Sequence, residues 1–115
     1  MRFLTLLAGH GQIGKTRVLS RESVETLETV QTLGKQMAYV PPGVDVPLQY
    51  ALGNWCAKWK DDGWCELALS PGAFGTWPWL DSRTGVYGIF FMRGRLPRVT
   101  DNLRRAMSGV IAAYQ

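Results

Sequence analysis

The sequence predicts an α+β domain: an antiparallel sheet of three or four strands, with a C-terminal helix packed on it and helices at the N-terminal end. Three observations predict it. Asp81-Ser82-Arg83-Thr84-Gly85 is a polar, glycine-ended segment between the apolar runs Trp77 to Leu80 and Val86 to Phe91, the pattern of a β-hairpin. Asp61-Asp62-Gly63 separates a second such pair, Gln49 to Trp59 and Trp64 to Leu69. Beyond Thr100, the residues Leu103, Ala106, Met107, Val110, Ile111 and Tyr114 recur at the helical period, and Arg104 and Arg105 lie off that face.

From the N-terminus, Phe3, Leu4, Leu6 and Leu7 ahead of Gly9 and Gly11 read as the end of a helix with a glycine C-cap. This helix begins at Met1 with no cap of its own, which suggests sequence upstream of it. Gly9-His10-Gly11-Gln12-Ile13-Gly14-Lys15-Thr16 then matches the P-loop pattern letter for letter. A P-loop needs a strand before it and a helix starting at the lysine, so that loop and helix N–H groups cradle phosphate. Here Thr16 to Leu19 reads as short and extended, and Ser20 as an N-cap with Glu22 in the first turn. Nucleotide binding through Gly9 to Thr16 is therefore an alternative function rather than the main one.

The second helix is expected from Arg21 to Leu33, with Val24, Leu27 and Val30 on one face, Glu22, Glu25 and Glu28 elsewhere, and Gly34 ending it. Tyr39 to Pro47 is a proline-pinned loop of the kind that covers a core. Pro97 breaks the chain, and Thr100 caps the last helix with Asp101 in its first turn.

With 115 residues the chain is at most one domain with a modest core. Hydrophobic residues make up 46% and charged residues 19%, a globular balance that excludes disorder. The formal charge of +4 is spread from Arg2 to Arg105 without a basic stripe, so no nucleic-acid partner is expected. Met1 to Ala8 is too short for a signal-peptide core and no cleavage site follows, so no signal peptide is expected and the localisation stays unknown. No apolar stretch approaches the ~18 residues needed to span a bilayer. One His and two Cys cannot complete a structural zinc site, and neither metal nor cofactor is expected. Cys56 and Cys65 flank the Lys60 to Gly63 turn and either form a cross-hairpin disulfide or remain buried thiols.

The stretch with most chemical interest is Ser70-Pro71-Gly72-Ala73-Phe74-Gly75. Its small residues strip side chains from the entry to a strand and let another group approach the backbone N–H donors, which an oxyanion site requires. The same glycines also suit a bulge in an ordinary edge strand. No Ser, His and acid cluster suggests a triad, and the one histidine, His10, reads as a solvated loop residue.

Ser70 to Asp81, followed by Gly85-Val86-Tyr87-Gly88-Ile89-Phe90-Phe91, resembles the third conserved element and following hairpin of the serine β-lactamase-related superfamily, which includes penicillin-binding proteins, carboxylesterases and class C β-lactamases. That element reads Lys-Thr-Gly, His-x-Gly or Trp-Gly-Gly in the family, and this chain keeps only its final glycine, Gly72. Gly14-Lys15 with Val18-Leu19-Ser20-Arg21-Glu22-Ser23-Val24, and Tyr50-x-Leu52-Gly53, are similar to family patterns as well. The resemblance spans residues 1–115 and implies one partial domain, the C-terminal portion of a β-lactamase/transpeptidase-like catalytic domain, in a family whose members are often periplasmic or secreted.

The resemblance implies a parent hydrolase that cleaves β-lactam, peptide or ester bonds through an acyl-enzyme. Ser70, Pro71, Gly72 and Ala73 would form the substrate-binding and oxyanion wall, with the Ala73 N–H as the donor. The family's Ser-x-x-Lys and Tyr-x-Asn or Ser-x-Asn elements are absent, and Thr32-Leu33-Gly34-Lys35 has the first spacing with the wrong nucleophile. No catalytic residue is therefore expected, and the chain should be inactive alone. The family also flanks the Gly85 to Met92 strand with one from the domain's N-terminus, which implies a missing N-terminal half as partner, self-association, or an interaction module that complements another chain.

Overall fold

The computed structural model describes residues 1–44 and 46–115. Asp45, within the proline-pinned loop, lies outside the described residues. In chain order the elements are α1 (Arg2–Ala8), β1 (Gln12–Ile13), β2 (Thr16–Arg17), α2 (Arg21–Glu28), β3 (Gln49–Tyr50), β4 (Trp55–Trp59), β5 (Cys65–Leu69), β6 (Trp77–Asp81), β7 (Val86–Phe90) and α3 (Leu96–Ala112). Strands β3 to β7 form one antiparallel sheet in sequence order, and β1 and β2 form a separate two-residue ribbon. The α+β class is as expected. A fifth strand arises because the run from Gln49 divides: Gly53, at φ +99°, bends the chain so that Gln49–Tyr50 folds back on Trp55–Cys56.

Side chains alternate across the sheet and build a core on each face. On one face Leu69, Trp77 and Trp79 pack with Val44, Leu48 and the α3 stripe Leu96, Leu103, Met107 and Ile111. On the other, Ala68, Leu80 and both cysteines pack with Val30, Leu7 and Ala8. Trp79 lies opposite Gly88, where a β-carbon would stand 3.0 Å from the indole, and its ring stacks on Phe90 at 6.3 Å. The glycine leaves room for a cross-strand aromatic to lie flat.

The predicted hairpin closes on Asp81. Its Oδ1 accepts from the N–H groups of Arg83 and Thr84, and its Oδ2 from the Arg83 guanidinium at 3.0 Å. Burial works to raise the Asp81 pKa, but these donors and the Arg83 charge prevail and hold it below the usual value.

Cys56 and Cys65 are joined as a disulfide, their Cα atoms 5.8 Å apart, although they are not directly opposed. Cys56 pairs with Ala68 and Cys65 with Trp59, and β4 is irregular on both sides of Lys58. Closing so short a loop contributes about 2–3 kcal/mol in the chain-entropy account.

α1 ends at a glycine C-cap, Gly9, as expected, and the turn after it is of the Schellman kind with His10 in the left-handed region (φ +48°): Gly11 N–H donates to the Leu6 carbonyl and His10 N–H to that of Leu7. Three expectations need correction. α2 stops at Glu28, not Leu33, because Thr29 bridges to Trp64 and the Val30 N–H donates to the Gly63 carbonyl; tertiary pairing claims the backbone that the helix would have used. Glu28, expected off the apolar face of the helix, is buried. Pro97 sits in the first turn of α3 instead of preceding it, where its missing N–H costs nothing, and Thr100 is internal, its hydroxyl donating to the Leu96 carbonyl.

β7 is an edge strand, and its pairing fixes which groups it exposes. The Pro78 carbonyl accepts from the Ser70 N–H, so the polar backbone of Pro78 faces β5, where it also lacks a donor just as β5 ends. The Pro78–Ile89 pair is then non-hydrogen-bonded, and so is Leu80–Tyr87 two residues along. The N–H and C=O groups of Tyr87 and Ile89 therefore face away from the sheet. Among the described residues, no helix is long and apolar enough to cross a membrane.

Candidate functional site

Ser70 to Thr76 form the connection between β5 and β6. The Gly72 N–H donates to the Thr76 carbonyl at 2.7 Å and the Gly75 N–H to the Gly72 carbonyl at 3.0 Å, which makes a tight turn with Ala73 and Phe74 at its tip. The turn is anchored to the segment before α3, because Gly94 donates to the Phe74 carbonyl and Leu96 to that of Ala73. Gly75 is needed for two reasons: its φ is +99°, and a β-carbon would meet the Met92 carbonyl oxygen at 2.9 Å.

With the carbonyls of Ala73 and Phe74 drawn inward, their N–H groups donate to no partner among the described residues. Both residues are exposed. The turn thus presents two adjacent backbone donors, the chemical feature that an oxyanion wall uses. Ser70, on the near side, lines an apolar groove of about 310 Å³ between α1 and the sheet, walled by Phe3, Leu4, Leu7, Pro78 and Ile89. Among the described residues, none of the thirteen around this groove has a titratable side chain, so no side chain there serves as a general base or acid. The four predicted wall residues are consecutive in one loop; the structure brings no Lys, His or carboxylate to them within the groove.

The P-loop look-alike takes a different shape. Gly14 and Lys15 form the turn of the β1–β2 ribbon, the helix precedes the motif, and Arg17 bonds the carbonyls of His10 and Leu19. No helix N-terminus begins at Lys15, so the loop lacks the converging amides that hold phosphate. Among the described residues, no cluster of three or more His, Cys, Asp or Glu side chains could hold a metal ion.

Glu28 was not singled out in sequence, and His10, expected as a solvated loop residue, is partly buried. Glu28 is 2% exposed, and burial pushes its carboxyl pKa up to about 7. The Nδ1 of His10 is buried without a hydrogen bond. The signal for Glu28 was its position four residues after Val24, on the same helix face.

No protein-family model matches the chain, and no curated protein does. Among solved structures it is similar to the crystal structure of a putative beta-lactamase from Bacteroides dorei, with 30% sequence identity and a TM-score of 0.67. The likeness covers 80% of this chain and 29% of that one. The chain therefore spans less than a third of the length of the structure it matches, and its α+β fold is β-lactamase-like.

Proposed function

We propose that this chain is the C-terminal portion of a β-lactamase-related serine hydrolase domain, inactive by itself, whose parent acts on β-lactam, peptide or ester bonds through an acyl-enzyme. The observation that carries the reading is the likeness to a β-lactamase-like structure at 30% identity, combined with its one-sided coverage. Ser70, Pro71, Gly72 and Ala73 serve as the wall of the parent's site, and the free Ala73 N–H is the oxyanion donor. One donor without nucleophile or base gives at most a weak contribution. The isolated chain is expected to hydrolyse neither a chromogenic β-lactam nor a short-chain ester, and to take up no serine-directed covalent label. A stoichiometric mass increase with that label overturns the inactivity, and mapping the adduct identifies the serine.

A second reading, an interaction module that self-associates or complements another chain, is favoured by two features. β7 offers the unpaired backbone groups of Tyr87 and Ile89, a template for strand addition. Beside it, the apolar groove is rimmed by Met1 and Phe3, 70% and 64% exposed. Sedimentation at low micromolar concentration is expected to show association rather than one monomer. A single monomeric species with a cooperative melt marks a self-sufficient domain and removes both the association and the need for a missing half.

A further inference from the structure

Two residues that each carry a buried, unpartnered polar atom line the same void. Glu28, the last residue of α2, leaves its Oε2 buried and unbonded, and His10, held in the left-handed turn after α1, does the same with its Nδ1. Both line a cavity of about 10 Å³ whose other walls include Leu7, Val24 and Leu80. That volume is at the lower limit of the ~10–15 Å³ that one water requires, and it excludes any organic ligand. An unpaired buried polar group costs about 1–3 kcal/mol, so two around one water-sized space are a strong sign that water occupies it. Ser82 and Trp64 also line the cavity, and the Ser82 hydroxyl already donates to the Cys65 carbonyl at 2.8 Å.

We propose that this cavity holds one water that bridges the Glu28 carboxyl and the His10 imidazole, so that one hydrogen-bond chain links the two side chains and locks the turn after α1 to the end of α2. The protons balance with both side chains neutral. The Glu28 O–H donates to the water, the water donates to Nδ1, and the imidazole carries its hydrogen on Nε2. Nε2 is not among the buried unpaired atoms, and His10 also borders an open polar pocket, so this second nitrogen meets solvent.

The charged groups that face the pair are few. From β2 there is Arg17, whose guanidinium donates to the His10 carbonyl at 3.0 Å, from α2 Glu25, and from the β4–β5 turn Lys60 and Asp62; none of the four lines the cavity itself. The β6–β7 hairpin contributes Ser82 and Gly85, which do not titrate. Among the described residues, no third titratable side chain lines the cavity.

His10 is the one histidine of the 115-residue chain, so its ring nitrogens can be followed without ambiguity. The ring ¹⁵N shifts are recorded from pH 4.5 to 8.5 in the wild type and in Glu28→Gln, with the Glu28 side-chain carboxyl ¹³C in the wild type. Wherever the imidazole is neutral its hydrogen is expected on Nε2, and a Glu28 titration step is expected in both the carboxyl carbon and Nδ1, vanishing from Nδ1 in Glu28→Gln. An Nδ1–H tautomer overturns the bridge, as does a Glu28 step that leaves Nδ1 unmoved. The second of these is read in the wild type alone and does not depend on the variant folding. A high-resolution crystal structure with the cavity dry, or with the two side chains in direct contact, overturns it equally.

Discussion

Trp77→Ala is expected to destabilise the chain by about 3–5 kcal/mol, the range for removing a large aromatic from a core. Trp77 is 1% exposed and sits where β6 meets the α3 stripe, so its loss opens a void between the two layers. Against a typical total of about 5–15 kcal/mol, that removes a large share of the stability. Trp77→Phe should cost much less. The indole Nε1 is buried without a hydrogen bond, and its removal relieves a desolvated donor while most of the ring volume stays. Urea unfolding followed by far-ultraviolet circular dichroism checks the pair. A Trp77→Ala midpoint close to the wild type contradicts the layer packing described here, and equal losses for the two variants contradict the unpaired indole.

Stability is expected to fall by about 3 kcal/mol as the pH rises from about 4.5 to above 7, as follows from the burial of Glu28. The carboxyl pKa is about 7 in the fold against 4.5 for the free group, so the native state holds a proton across that interval that the unfolded state has released. Each unit of difference contributes about 1.4 kcal/mol, fully present below the unfolded value and lost as the pH passes through the folded one. Asp81 acts in the opposite sense: held low by its donors, it contributes stability above the ordinary carboxylate range that disappears on acidification. The optimum should therefore lie near the ordinary carboxylate values, on the acid side of neutrality. Urea midpoints at pH 5 and pH 8 test this, with Glu28→Gln as control; the variant should lose most of the difference. Equal wild-type midpoints at the two pH values show that Glu28 is not desolvated as the fold requires.

Local signals carried much of this architecture. The hairpin was legible because Asp81 and Gly85 bracket alternating runs, and α3 because its apolar residues repeat without interruption from Leu103. The end of α2 was not legible, since Thr29 and Val30 are compatible with a helix and leave it only to pair with Trp64 and Gly63, more than thirty residues away. Glu28 misled for a related reason. An acid is ordinarily solvated, and only the cover provided by α1 and the β6–β7 hairpin turns it inward. For the candidate site, composition located the Ser70 to Gly75 loop, but the free N–H groups of Ala73 and Phe74 depend on the anchoring of their carbonyls by residues 94 and 96. That long-range contact has no signature in the loop itself.

The Cys56–Cys65 bond bears on how the chain withstands cutting. Lys58, Lys60, Asp61 and Asp62 lie at the exposed end of the β4–β5 hairpin, the kind of place where proteases nick folded proteins. All four fall inside the nine-residue interval that the bond closes. A single scission there opens a ring without separating two pieces, so β3 and β4 remain tethered to the rest of the sheet and can dock again. The tip of this hairpin is thus a stretch of backbone whose continuity the molecule can forgo.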